Sequence, residues 1–387
     1  MKVTESIRYV GVNDYDLDLF ESQYILENGV SYNSYLIMDE KVALMDTVDA
    51  RKTDEWLANV EKELEGRTID YVVIQHMEPD HSGSLAVILD KYPNATVVGN
   101  AKTFVFFGQF FEYDLTGRML EVKEGDTLSL GSHTLQFFMA PMVHWPEVMV
   151  TYDSADKTLF SADGFGKFGA LDADEAWACE ARRYYFNIVG KYGAQVQALM
   201  KKAATLDIEK ILPLHGPLLT ENLGYYLDLY QKWSTYTPET KGVFIAVASI
   251  HGNTLKAANI LADKIRALGE ERVVVADLSR EDIAECVEDA FRHDRMVLCS
   301  ASYDGNAFIP MEDFLHHLQV KTFRNRTVGL LENGSWAPSA LKSMKGYLES
   351  MKDIKILEPS VSIRSTYKPA NEADLDALAK AVYEAGL

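Results

Sequence analysis

Cysteine is scarce in this chain. Cys179, Cys286 and Cys299 are widely spaced, with no Cys-x-x-Cys pair. A disulfide framework, a zinc ribbon and a rubredoxin-like iron site are thereby excluded. Each cysteine is expected to be a small core residue. No hydrophobic run has the length of a membrane span, and Met1-Lys2-Val3-Thr4-Glu5 lacks the basic and apolar regions of a signal peptide. A cytoplasmic protein with no membrane contact is expected. Basic residues are also in deficit. Lys and Arg number 38 against 58 Asp and Glu, a formal net charge of −20. Such a balance disfavours a nucleic-acid partner, whose phosphates need cations. Internal repeats and low-complexity segments are absent.

What is present is enough chain for two cores, since 387 residues exceed one. The two halves differ in pattern. In the first, short strands mix with helices. Asn33 to Met38 and Val42 to Asp46 flank a turn and read as a hairpin; Thr53 to Glu65 has helical spacing. Tyr71 to Gln75, Thr134 to Phe138, Val148 to Tyr152, Leu159 to Asp163 and Ile211 to His215 are strand-like, and Tyr184 to Ala204 is helical. The polar stretch Tyr236 to Gly242 reads as the boundary, giving domains 1–240 and 241–387. Beyond it, apolar runs at Val243–Ala248, Arg272–Ala276, Met296–Ser300 and Thr327–Leu331 alternate with helices, Val361–Ile363 is a weak last strand, and Ala370–Ala385 closes the chain. That alternation predicts a doubly wound parallel sheet of flavodoxin size.

Residues 76 to 81 read His-Met-Glu-Pro-Asp-His at the end of a predicted buried strand. His76, Glu78, Asp80 and His81 offer four metal-ligand side chains in six positions. Capping the next helix needs one short polar side chain, not two imidazoles and two carboxylates. Alternation along an extended segment would point His76, Glu78 and Asp80 the same way, with His81 at the turn into a helix. Other strand ends add His144, Asp163 and His215. Either of those histidines alone would more often be a satisfied structural residue. Seven candidates exceed one ion's needs, and Asp163 is the natural bridge between two. The set has carboxylates and imidazoles but no thiolate, which suits iron, manganese or zinc. His293, His316 and His317 fall on helical segments and are expected in solvent. His133 lies in a turn and receives no role.

After Val243–Ala248 comes Ser249-Ile250-His251-Gly252-Asn253-Thr254, then a helix. Hydroxyls, backbone N–H groups and the helix N-terminus suit a phosphate. The loop has no lysine, so a Walker-type nucleotide site is excluded and an FMN phosphate fits better. The loops Ser302-Tyr303-Asp304-Gly305 and Asn333-Gly334-Ser335-Trp336 follow two further strands. Each has small polar residues and one aromatic, as an isoalloxazine ring requires.

The first half resembles the metallo-β-lactamase superfamily, whose first motif is His-x-His-x-Asp-His. Glu78 stands where that motif has its second histidine, the mark of the flavodiiron proteins, or A-type flavoproteins. The resemblance spans essentially the whole chain. It implies an α/β protein in which a metallo-β-lactamase-like αββα domain precedes a flavodoxin-like domain. It also implies two iron ions and FMN: His76, Glu78 and His144 on one iron, Asp80, His81 and His215 on the other, and Asp163 between them. The three flavin loops match the flavodoxin pattern, except that Ala301 stands where proline is common. The implied activity is reduction of dioxygen to water, nitric oxide to nitrous oxide, or both. Electrons would come through FMN from an external donor, rubredoxin or a reduced deazaflavin. A head-to-tail homodimer, or a dimer of such dimers, is implied as well. Two rivals stand beside this. One is a dinuclear hydrolase fused to a flavodoxin-like domain; the other is a plain electron carrier. Glu78 weighs against the first and the full ligand set against the second.

Overall fold

The structure is a computed structural model describing residues 1–387. The chain forms two compact units: Met1–Tyr185 with Tyr192–Tyr230, and Phe186–Lys191 with Gln231–Leu387.

The first unit stacks two sheets. One is six-stranded, in the order Ile7–Tyr9, Tyr35–Met38, Val42–Met45, Tyr71–Val73, Thr96–Gly99, Met119–Glu121. The other is five-stranded, in the order Thr127–Ser129, Thr134–Met139, Met149–Asp153, Thr158–Phe160, Lys210–Leu212. Ile37, Met45, Val73 and Val98 from the first sheet pack with Phe137, Met149, Phe160 and Leu212 from the second in one apolar core. Helices such as Thr53–Leu64 and Ala101–Phe110 follow strands of the first sheet. The strand ends bring the polar residues together. Phe160 pairs in parallel with Leu212, so Asp163 and His215, each three residues on, leave the sheet side by side. Met45 pairs with Val73, which puts Asp46 next to the chain leading to His76.

In the second unit the main strands lie in the order Val273–Asp277, Thr240–Ala248, His293–Tyr303, Arg326–Asn333, Ile354–Ile356, all parallel. Val361–Ile363 extends the pairing of Arg326–Asn333 at its far end. Counted in chain order this is 2-1-3-4-5, the flavodoxin-like doubly wound arrangement. The central runs Val243–Ala248 and Met296–Ser300 are buried throughout, because helices cover both faces.

Four expectations need correction. The segment expected as one helix from Tyr184 to Ala204 is broken: an α-helix over Trp177–Tyr184, a π-helical turn over Tyr185–Val189, a short 3₁₀ turn, then Gly193–Ala203. Phe186–Lys191 packs in the second unit, where Phe186 stacks on Phe291 at 4.1 Å and Tyr236 Oη donates to Gly190 O at 2.7 Å. Periodicity reports an apolar face, not what it packs against. His293 is not a solvated helical residue. It opens the strand His293–Tyr303, is 3% exposed, and its Nδ1 lies 2.8 Å from Asp289 O. Cys179 is exposed, whereas Cys286 and Cys299 are buried as expected. His76, Glu78 and Asp80 do not share one extended face. The strand stops at Val73, and Pro79–Ser82 is a helical turn carrying Asp80 and His81. No helix is long and apolar enough to cross a membrane.

Candidate metal centre and flavin cradle

The seven candidate ligands gather in two groups at strand ends of the first unit. His76, Glu78, His144 and Asp163 form one; Asp80, His81 and His215 form the other. Within each group the potential ligand atoms lie within 4.8 Å of one another. Asp163 reaches both. Its Oδ2 lies 3.1 Å from His144 Nε2 and 3.4 Å from His76 Nε2, and its Oδ1 lies 3.2 Å from His81 Nε2. Glu78 Oε2 is 3.1 Å from His76 Nε2 and 3.0 Å from His144 Nε2. Asp80 Oδ2 is 3.3 Å from His81 Nε2 and 3.2 Å from His215 Nε2.

The outer partners fix the imidazoles. His76 Nδ1 lies 2.8 Å from the Glu147 carboxylate and His215 Nδ1 lies 2.8 Å from Ser31 O. The Ser31 carbonyl only accepts, so His215 Nδ1 carries hydrogen, and with Nδ1 engaged on each ring it is Nε2 that faces the cluster. His81 Nε2 and His215 Nε2 then face each other at 3.0 Å. Both oxygens of Asp163, both of Asp80 and Nε2 of His144 are buried with no aligned hydrogen-bond partner. Orphaned acceptors at this density are costly unless a cation stands among them. Three carboxylates and four imidazoles without a thiolate fit a pair of iron, manganese or zinc ions.

Charge within the cluster is strongly biased. Burial resists the Asp163 charge, but His76, His144 and His81 hold its carboxyl well below the usual range. Burial likewise opposes protonation of His144, yet Asp163 and Glu78 outweigh it and push the imidazole up to about 9. Asp46 supports the chain from below: its Oδ1 accepts from Gln75 N at 2.8 Å and His76 N at 3.3 Å, and burial pushes its carboxyl up to about 6.

Three participants escaped the sequence reading. Glu147 lies one residue beyond Pro146 in a loop where nothing distinguishes it from a surface glutamate, yet it is buried and also accepts from Met77 N at 2.8 Å. Trp145 sets its ring 5.3 Å from that of His76. Tyr184 places its ring 5.6 Å from His215, and its buried hydroxyl has no hydrogen-bond partner. Burial and the Asp163, Glu78 and Asp80 carboxylates push its ionisation well up, so it stays a neutral O–H. Strand ends flagged the ligands; these three sit elsewhere. His133 lies apart with Asp153, Nδ1 to Oδ2 2.8 Å.

In the second unit the three loops read as flavin-binding line one cavity of about 600 Å³. His251, Asn253 and Thr254 come from the first, Ser302 to Gly305 from the second, Asn333 to Trp336 from the third. Ser249 is not in the wall; its hydroxyl accepts from Leu255 N at 3.3 Å and so shapes the loop. Gly252 takes φ 81° just before the helix Asn253–Ala267, a conformation that side chains rarely adopt. Tyr303 is 44% and Trp336 89% exposed, two aromatic faces without a core to cover. Asn333 Oδ1 is buried without a partner. Cavity, helix N-terminus, open aromatic faces and an orphaned acceptor fit a flavin phosphate. Ala301 of the second loop lines it too, and Ala337, Ser339 and Ser365 were not foreseen as its wall.

Residues 30–216 match the sequence profile described as ODP family beta lactamase. The anaerobic nitric oxide reductase flavorubredoxin of Aliivibrio fischeri is 30% identical over 387 residues, covering 96% of this chain and 76% of that protein. A putative diflavin flavoprotein A 1 of Thermosynechococcus vestitus is 34% identical over 290 residues, 72% of this chain but only 50% of that longer protein. Among solved structures, rubredoxin oxygen:oxidoreductase from Desulfovibrio gigas has a TM-score of 0.91 at 25% identity, with 100% of this chain and 98% of that one covered. The flavodiiron protein from Giardia intestinalis has a TM-score of 0.91 at 26% identity, covering 100% and 95%. Because the likeness runs through both units and keeps their order, the chain belongs to the flavodiiron protein family.

Proposed function

We propose that this chain is an oxidoreductase that reduces dioxygen, nitric oxide or both at a non-haem di-iron site. His76, Glu78 and His144 hold one iron, Asp80, His81 and His215 the other, and Asp163 both. FMN occupies the cavity of the second unit. The assignment divides the chain into a metal domain, residues 1–240, and a flavin domain, residues 241–387. The observation that carries this reading is Asp163: fully buried, both oxygens without an aligned hydrogen bond, each turned to a different histidine group. When bound, two irons supply two electrons and adjacent positions for two substrate atoms, and the flavin turns single-electron delivery into paired delivery.

The protein's own residues do the rest. Glu147 and the Ser31 carbonyl hold His76 and His215 in the tautomer that presents Nε2. Trp145 and Phe106, ring centroids 6.0 Å apart, wall the His76 side against water. Tyr184 keeps its proton and has an O–H with no internal acceptor, so it would hold a proton beside the His215 side of the cluster. Asn253 and Thr254 turn the helix N-terminus to the phosphate.

The external donor in this reading is rubredoxin or a reduced deazaflavin. The protein is cytoplasmic and works as a head-to-tail homodimer or a dimer of such dimers. Donor and assembly rest on the family resemblance. The deciding experiment is anaerobic turnover with each gas in turn, using one reduced rubredoxin, on protein assayed for metal and flavin. About two irons and one FMN per chain are expected. Stoichiometric zinc without flavin, or no consumption of either gas, would overturn the reading.

A further inference from the structure

Asn333 ends the strand Arg326–Asn333 and lines the cavity assigned to FMN, and its role there rests on that assignment. The residue is 6% exposed. Its Nδ2 donates to Ser365 O at 3.0 Å and to Thr254 Oγ1 at 3.3 Å. A carbonyl oxygen only accepts, so the amide has one orientation: nitrogen to Ser365, Oδ1 away from it. Oδ1 is buried and has no partner. A buried amide oxygen left this way carries a penalty that a ligand donor would remove.

The Ser365 carbonyl is held deliberately. Ser365 takes φ 65°, which a serine adopts only when its surroundings impose it. Its hydroxyl donates to Ser335 Oγ at 3.0 Å, and Arg364 Nη1 donates to Trp336 O at 3.2 Å. The turn after the last strand is therefore tied to the third flavin loop at three points.

Position along the ligand follows from Thr254. It stands in the first turn of the helix whose N-terminus faces the phosphate, whereas Asn333 leads into the loop of Trp336. Where their side chains meet lies between the phosphate end and the ring end. In FMN that part is the polyol. We propose that Asn333 Oδ1 accepts a hydrogen bond from a ribityl hydroxyl, and that the turn Arg364–Ser365 is a fourth wall of the cradle that holds the amide for it. Asn333 thereby selects a flavin with a hydroxylated chain.

The test uses full-length protein freed of flavin. It compares FMN with a flavin phosphate whose ribityl chain is replaced by a plain pentyl chain, and binding is read from quenching of flavin fluorescence. The wild type should prefer FMN by roughly tenfold or more, the worth of a hydrogen bond whose loss strands a buried partner. In Asn333→Ala that preference should shrink by about the same factor, through weaker FMN binding and nearly unchanged analogue binding. Equal weakening of both ligands would make Asn333 a structural residue and overturn the inference. So would equal affinity of the wild type for the two ligands, a measurement that needs no variant to fold. Failure of the wild type to bind either ligand would instead remove the flavin assignment itself.

Discussion

At the scale of single residues, Asp163 carries the most. It alone faces both histidine groups, so Asp163→Ala should lose the shared ligand and with it gas reduction. FMN reduction by the donor should persist, since the flavin loops belong to other strands. Stopped-flow absorbance separates the two, and near-normal gas consumption in the variant would remove Asp163 from the site. Glu147 acts at one remove. Its carboxylate sets the tautomer of His76, and losing such a partner typically weakens metal binding by about 10–100-fold. Glu147→Ala should show that loss in a chelator competition, with the fold intact by circular dichroism.

Protons compete with metal at the same nitrogens. In the metal-free protein His144 is pushed up to about 9: burial opposes its charge, but Asp163 and Glu78 outweigh burial. His76 and His81 are raised as well, again against burial and by neighbouring carboxylates. Coordination needs the bare nitrogen. Metal uptake at pH 7 should therefore release at least one proton, and affinity should climb as pH rises toward about 9. Titration calorimetry in buffers of different ionisation enthalpy counts the release; a count of zero would contradict the cluster's charge. The same raised pKa acts on the metal-free fold with a definite sign. Its contribution is complete below pH ~6.5, the unfolded value, and is lost as pH rises through about 9.

At the scale of elements, strand ends and helix starts position the chemistry. The helix Ala101–Phe110 is capped by Asn100, whose Oδ1 accepts from Lys102 N and Thr103 N while its Nδ2 donates to Glu147 O. One side chain thus fixes a helix start and the loop that carries Glu147. Asn100→Ala should destabilise the protein by about 1–2 kcal/mol, the usual worth of a cap. A shift in the urea midpoint at unchanged slope would show it; no shift would mean the cap is redundant. Elements with strong local signals were legible before folding. Val42–Asp46 and Thr53–Glu65 recur one residue shorter, and Val243–Ala248 recurs with three more residues at its start. Pairing was not. Lys210–Leu212 and Thr158–Phe160 were readable as strands, but that they lie side by side is set by register across some fifty intervening residues. The π-helical turn Tyr185–Val189 lies within an unbroken helical pattern, and only its packing with the second unit marks the break.

At the scale of the whole molecule, the proposed homodimer pairs the flavin of one subunit with the metals of the other. One variant without a metal site, His144→Ala, and one without flavin, altered at Ser249 and Thr254, are each inactive on that view. Refolded together they should recover roughly a quarter of wild-type activity, because about half the dimers are mixed and each has one working pair. No recovery, with mixed dimers demonstrably present, would confine electron transfer to one chain.

The amino-acid sequence by itself determined which ligand and cradle atoms exist and that they stand at strand ends. Residue type sets donor chemistry, and short apolar runs announce where a strand stops. His76, Glu78, Asp80, His81, His144, Asp163 and His215 were nameable on those grounds, as were three loops that line one cavity. How the seven divide into two groups was implied by the family resemblance, not by any residue's type or spacing. Only the tertiary structure put Glu147 behind His76, Ser31 behind His215, Tyr184 beside the cluster and Ser365 against Asn333. The partners in three of these contacts lie 71, 184 and 32 residues apart in the chain. A hydrogen bond needs atoms within about 3 Å, and separation along a chain says nothing of distance until the sheets have closed on their core.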